Sequence, residues 1–188
     1  MPIIIKNNSH QDILDLVTTK LLKKDLVALP TETVYGLAGL GTSLSAAKKI
    51  YKLKQRPLSK KLIFHCSNMD MVKKFFILED ENSLLAKKYW PGPLTLILKR
   101  KSKQIPLELS KNEYCAVRVP KNTFTSKVIS LLNKPIVMPS ANRFKKLSPI
   151  PREIPMKVVN MVLKFQVLKS LKIYKTDPII IPKNTLHT

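Results

Sequence analysis

Five short apolar runs punctuate this chain, and none is long enough to be anything but a strand or a buried turn of helix. They are Leu26–Leu29, Leu62–Cys66, Leu94–Leu98, Tyr114–Pro120 and Ile136–Met138. Between them lie stretches whose apolar residues recur at helical spacing. The first starts at Ser9, with Asp12 three residues on in capping-box position, and continues through Ile13, Leu14, Val17, Leu21 and Leu22. The second spans 43–54, with Ala46, Ala47, Ile50 and Leu53 on one face and Lys48, Lys49 and Lys52 expected in solvent. Further helices are expected over 68–76, 81–89 and 123–132. Strands alternating with helices predict an α/β or α+β fold around a twisted mixed β-sheet with flanking helices. No internal repeat is visible.

The length of 188 residues fits one domain with a sizeable core, and an apolar fraction of 44% is that of a globular protein. No segment approaches the roughly 20 apolar residues needed to span a bilayer, and the apolar part of the N-terminus is too short for a secretory signal. Cys66 and Cys115 are the only cysteines, without metal-ligand spacing, which speaks against a disulfide framework or a zinc site and for a cytoplasmic location. The net charge of +22 admits a phosphate-rich partner, nucleotide or nucleic acid. It is carried mainly by lysine, a hydrated point charge, so a general compositional bias accounts for it as well.

Several strand ends carry polar or charged groups. Leu26–Leu29 runs into Pro30-Thr31-Glu32-Thr33-Val34-Tyr35-Gly36-Leu37, a strand end that delivers hydroxyls, a carboxylate and a phenol. This octet reads either as a site or as a polar loop. The second helix ends in Lys54-Gln55-Arg56-Pro57-Leu58-Ser59-Lys60, where Pro57 biases Arg56 out of helix and two cations can converge on one anion or simply face water. His65 stands near the end of one run. Arg118 lies inside another and needs a partner or a cleft, because its charge is costly to bury alone. Ile136–Met138 leads into Pro139-Ser140-Ala141-Asn142. These small polar strand ends suggest one shared mouth.

Octet, Lys-Gln-Arg-Pro-Leu-Ser-Lys, Trp90-Pro91-Gly92-Pro93-Leu94-Thr95, Val117-Arg118-Val119-Pro120 and Pro-Ser-Ala-Asn follow one another in fixed order. Together they resemble the YrdC-like threonylcarbamoyl-AMP synthase family over roughly residues 10–149. The resemblance implies a YrdC-like fold, its sheet and helices enclosing a deep basic cavity. It also implies that L-threonine, bicarbonate and ATP are converted to threonylcarbamoyl-adenylate and pyrophosphate, with Mg2+, as the first step of N6-threonylcarbamoyladenosine formation in tRNA. Partners would be other proteins of that modification route, with tRNA or double-stranded RNA as further candidates. By motif position, Thr31, Tyr35, His65, Arg118 and Ser140 would line the L-threonine site, Arg118 pairing the carboxylate. Lys54 and Arg56 would clamp the ATP phosphates as the catalytic cations, with Leu58, Cys115, Asn142 and Ser148 also on the nucleotide. No protein metal ligands are implied.

The chain departs from the pattern at Lys61, where relatives usually have proline, and at Lys145, where they often have glycine. Residues 150–188 contain no glycine and no Ser-Thr-Val motif, so they read as a divergent tail beside a 1–149 catalytic domain. That tail is expected to offer a helix over 158–171 and an edge strand over 175–181. The competing readings are a non-catalytic double-stranded RNA or tRNA-binding module, and an inactive paralogue with an altered nucleotide site.

Overall fold

The computed structural model describes residues 3–4, 10–142 and 180–181. Among the described residues, nine strands form one sheet: β1 (Ile3–Ile4), β2 (Val27–Leu29), β3 (Gly36–Leu40), β4 (Ile63–His65), β5 (Phe76–Ile77), β6 (Leu96–Arg100), β7 (Tyr114–Arg118), β8 (Ile136–Val137) and β9 (Ile180–Ile181). Their order is β1-β9-β2-β3-β8-β4-β7-β6-β5. The pairing of β4 with β7 is parallel and the others are antiparallel, so the sheet is mixed, as expected.

The α-helices among the described residues are α1 (His10–Leu22), α2 (Leu44–Lys54), α3 (Met69–Phe75), α4 (Asp80–Tyr89) and α5 (Thr123–Leu132). Their ends have local causes. Ser43, Asn68 and Asn122 cap α2, α3 and α5, each side-chain oxygen accepting a backbone N–H three residues on. Gln55 and Asn133 stop α2 and α5 in the left-handed conformation. Leu14, Val17 and Leu21 bury the core face of α1, whereas Leu22 is turned about 100° from Leu21 and is 49% exposed, contrary to its expected place on that face. On α2 the buried face is Ala46, Ala47, Ile50, Tyr51 and Lys54. No described helix is long and apolar enough to cross a membrane.

Several boundaries differ from expectation; the helix expected over 68–76 ends at Phe75, and Phe76 opens β5. Gly36–Leu40 is a fully buried strand, not a loop. A Cβ on Gly39 would lie 3.0–3.5 Å from Leu26, Ile50 and Ala46, so its glycine lets α2 sit close on the strand. The strand expected at 94–98 is paired over 96–100, because the Trp90 indole N–H takes the Leu94 carbonyl at 2.7 Å before the ladder begins. Lys99 therefore lies in β6. In the tail, Ile180–Ile181 is not an edge: it lies between β1 and β2. The expected 158–171 helix lies outside the described residues.

The core centres on Phe64, Phe75 and Phe76, with Phe64 and Phe76 edge-to-face at 5.5 Å between ring centres. Each such fully buried side chain contributes about 1.5–3 kcal/mol. Phe64 lies on β4, which sits between β8 and β7, and the ends of those strands lead to the polar cluster described next.

Candidate active site

The octet is tied down at both ends. Thr125, fully buried on α5, donates its hydroxyl to the Pro30 carbonyl at 2.6 Å. Thr31 folds the following turn on itself: its hydroxyl donates to Val34 O at 2.6 Å and accepts from the N–H groups of Thr33 and Val34 at 3.1 and 3.0 Å. One hydroxyl hydrogen and two lone pairs are thereby spent, so Thr31 acts on anything nearby through the turn it holds. Beyond it the octet pairs with Pro-Ser-Ala-Asn. Ala141 N donates to Tyr35 O at 2.7 Å, Leu37 N donates to Pro139 O at 2.8 Å, and Gly36 bridges Ser140. Close approach requires glycine there, because a Cβ on Gly36 would fall 2.2 Å from Met138 Cγ. The two motifs thus share one ladder, and Tyr35 is buried beneath it.

Arg118, at the end of β7, is held on two sides. Its Nη2 donates to Glu32 Oε1 in an ion pair, and its Nε donates to Gly92 O at 3.1 Å. Glu32 accepts a second bond from the Lys121 backbone N–H at 3.1 Å on its other oxygen. Burial pushes this carboxyl up, but the Arg118 hydrogen bond and charge, with backbone N–H groups, outweigh it and hold it below the ordinary value of 4.5. The Trp-Pro-Gly-Pro run contributes here through a backbone carbonyl rather than a side chain. His65 pairs with Arg118 in the β4–β7 register. Burial first, then the Arg118 charge, pushes its imidazole down to about 4, so it is neutral at physiological pH.

Lys54 forms the second cluster. Its side chain is 2% exposed, and its ammonium donates to the carbonyls of both Ser140 and Asn142, 86 and 88 residues away. Ser140 in turn donates its hydroxyl to the Asn142 side-chain oxygen. Burial, and then the charge of Arg56, push the lysine down from 10.5 to about 8. Arg56 curls over the turn after α2, donating Nε to Lys60 O at 2.8 Å and Nη2 to Lys61 O at 3.0 Å. Lys61, where a proline was expected, donates to Glu108 O at 2.8 Å.

The remaining candidates contribute no side-chain contact to these clusters among the described residues. Leu58 is 64% exposed on the same turn as Arg56. Cys115 lies three residues before Arg118 on β7 and therefore projects from the opposite face into the core, where burial pushes its thiol up to about 11. Ser148 lies outside the described residues. Sequence reasoning did not single out Lys121 or Thr125, and it met Gly92 only as part of the Trp-Pro-Gly-Pro motif; these residues hold the site through backbone groups or one hydroxyl.

The Sua5/YciO/YrdC family model, described as telomere recombination, matches residues 19–176. The chain belongs to this family. A threonylcarbamoyl-AMP synthase of Pyrococcus abyssi is 40% identical over 126 residues, 66% of this chain and 37% of that one. The chain thus spans well under half of that relative. A shorter threonylcarbamoyl-AMP synthase, from Psychromonas ingrahamii, is 32% identical over 177 residues, covering 92% of this chain and 88% of its own. Among solved structures, the crystal structure of Pyrococcus abyssi Sua5 complexed with L-threonine superposes with a TM-score of 0.73 at 33% identity, covering 82% of this chain and 45% of that one. The family match thus runs past the 149 boundary drawn from the motifs and includes part of the tail.

Proposed function

We propose that this chain is an L-threonylcarbamoyladenylate synthase, which joins L-threonine, bicarbonate and ATP and releases pyrophosphate. One observation carries the reading. Lys54 reaches across 86 residues to hold the Ser140 and Asn142 loop, which joins the two family motifs that carry cations and polar groups into one built cluster.

The chemistry suits what the residues can do. The amine of threonine adds to bicarbonate and loses water to give a carbamate. A carbamate oxygen then attacks the α-phosphorus and pyrophosphate leaves. Substrate supplies the nucleophile, so the protein needs no covalent one, and the two buried cysteines, whose thiols burial pushes up, are inert in this respect. What remains is to bring anionic reactants together and offset their repulsion. Lys54 and Arg56 supply positive charge for the phosphates, and Arg118 receives the threonine carboxylate. Neutral His65 backs the site without adding charge, and Tyr35 walls it. The YrdC-like basic cavity would lie between these clusters.

A dedicated Mg2+ cage does not fit the described residues: no group of three or more His, Cys, Asp or Glu side chains converges among them, and Glu32 is engaged by Arg118. No step here runs through the ion. The product is a labile mixed anhydride, so a tRNA-modifying partner would take it up directly.

The test is pyrophosphate release from ATP by the purified chain. Release that requires both L-threonine and bicarbonate, and is lost in Arg56→Ala, supports the synthase. ATP turnover indifferent to threonine, or none at all, overturns it.

A further inference from the structure

The octet contains one carboxylate, Glu32, and both of its oxygens are used: Oε1 by Arg118 and Oε2 by the Lys121 backbone N–H. A carboxylate so engaged is a poor proton acceptor: against the burial that raises it, the Arg118 hydrogen bond first, then backbone N–H groups and the Arg118 charge, hold it below its ordinary value. General-base work is therefore not what this geometry offers. What it offers is a fixed guanidinium. The Nε and Nη2 groups of Arg118 lie on one edge of its plane, and that edge is closed by Gly92 O and Glu32. Two more contacts brace the clamp itself. Thr31 holds the turn on which Glu32 sits, and Lys121 belongs to the short link between β7 and α5, whose first turn carries the Thr125 hydroxyl bonded to Pro30.

We infer that Glu32 is a positioning residue, which locks Arg118 by one edge so that the rest of the guanidinium is presented to a ligand carboxylate. Among the described residues, Nη1 of Arg118 meets no acceptor. Without Glu32 the guanidinium would keep its charge but lose its orientation, because Gly92 O alone restrains it at one nitrogen. Attraction for any anion would survive, whereas discrimination for a carboxylate at one fixed place would not. This inference rests on reading Arg118 as the receptor of the threonine carboxylate.

The experiment compares the wild-type chain with Glu32→Gln, Glu32→Asp and Arg118→Lys. L-threonine and ATP binding are followed by calorimetry, and the Arg118 Nε–H resonance, identified by its loss in Arg118→Lys, by NMR. Glutamine can serve only one of the two donors, whereas aspartate keeps two acceptors on a shorter reach. In Glu32→Gln the resonance is expected to exchange rapidly with water and L-threonine affinity to fall about tenfold, with ATP affinity unchanged. Glu32→Asp recovers part of the loss. The inference is overturned if Glu32→Gln binds L-threonine within about twofold of wild type, or if ATP affinity falls in parallel. A wild-type chain that binds no L-threonine, while its Arg118 resonance is protected, instead shows that the reading beneath has failed, and the ligand assignment falls with it.

Discussion

His65 and Arg118 face each other across the parallel β4–β7 pair, an arrangement in which a buried imidazole sits beside a guanidinium and stays neutral down to about pH 4. The unfolded chain protonates this histidine near 6.5, so as pH falls from 6.5 to 4 the unfolded state takes up a proton that the folded state refuses. Stability is therefore full above pH 6.5 and declines through that window. Between pH 7 and 5 the loss is about 2 kcal/mol. Urea unfolding at the two pH values should show it, and His65→Gln should flatten it. An acid slope unchanged in the variant would assign the loss elsewhere.

Lys54 makes the opposite prediction for function. Its folded value of about 8 lies below the ordinary 10.5, so across that window the unfolded state holds a proton that the folded state has lost, and this group's contribution to stability rises with pH. Under the proposed function this ammonium offsets phosphate charge, and in the folded chain it is lost around the same value of about 8. Pyrophosphate release should therefore decline on the alkaline side with a midpoint near 8. Lys54→Arg, charged throughout, should lower the rate, because its fork does not fit two carbonyls held by a single ammonium, but it should move the decline upward. A pH–rate profile of both proteins decides it, and an unmoved alkaline limb in the variant would clear Lys54.

Helices α2 and α5 were legible in the sequence because they carry their own end signals. Asn122 and Asn133 bracket α5 as cap and left-handed stop, and Ser43 and Gln55 do the same for α2. The strands were less so. Gly36 and Gly39 are loop signals taken alone, and the reasons they form β3 lie far off, in Met138 and in the face of α2. β5 has two residues, too few to show any period against the helix it follows. The candidate site divides in the same way. Motif order singled out Lys54, Arg118, Ser140 and Asn142, and polarity at strand ends suggested a shared mouth. It could not show that Arg118 pairs with Glu32, because the two are 86 residues apart and their meeting depends on a turn held by Thr31 and a loop carbonyl from Gly92.

Gly36→Ala tests how tightly the two motifs are laced. The new methyl would fall 2.2 Å from Met138 Cγ and 2.6 Å from its Sδ, and Met138 is itself buried. Relieving that overlap means moving a packed side chain, which costs about 1–3 kcal/mol. Chemical denaturation of Gly36→Ala, Met138→Ala and the double variant forms a cycle. The double variant should be more stable than the sum of the singles predicts, because removing the methionine side chain makes room for the methyl. Strict additivity would mean that the strain is relieved elsewhere along the ladder.

Thr125 offers a route to the octet that touches none of its side chains. Fully buried on α5, it gives its hydroxyl hydrogen to Pro30 O at 2.6 Å, one residue before the turn on which Thr31 and Glu32 sit. Thr125→Val keeps the shape and removes the donor, leaving a carbonyl unsatisfied at a cost of about 1–3 kcal/mol. Thr125→Ser keeps the donor and loses only a methyl. The octet bears on Arg118 through Glu32, whereas Lys54 is anchored on Ser140 and Asn142, so the valine variant should weaken L-threonine more than ATP. Serine should restore that selectivity without fully restoring stability. Equal weakening of both substrates by valine would show that the bond serves the fold as a whole and not the octet in particular.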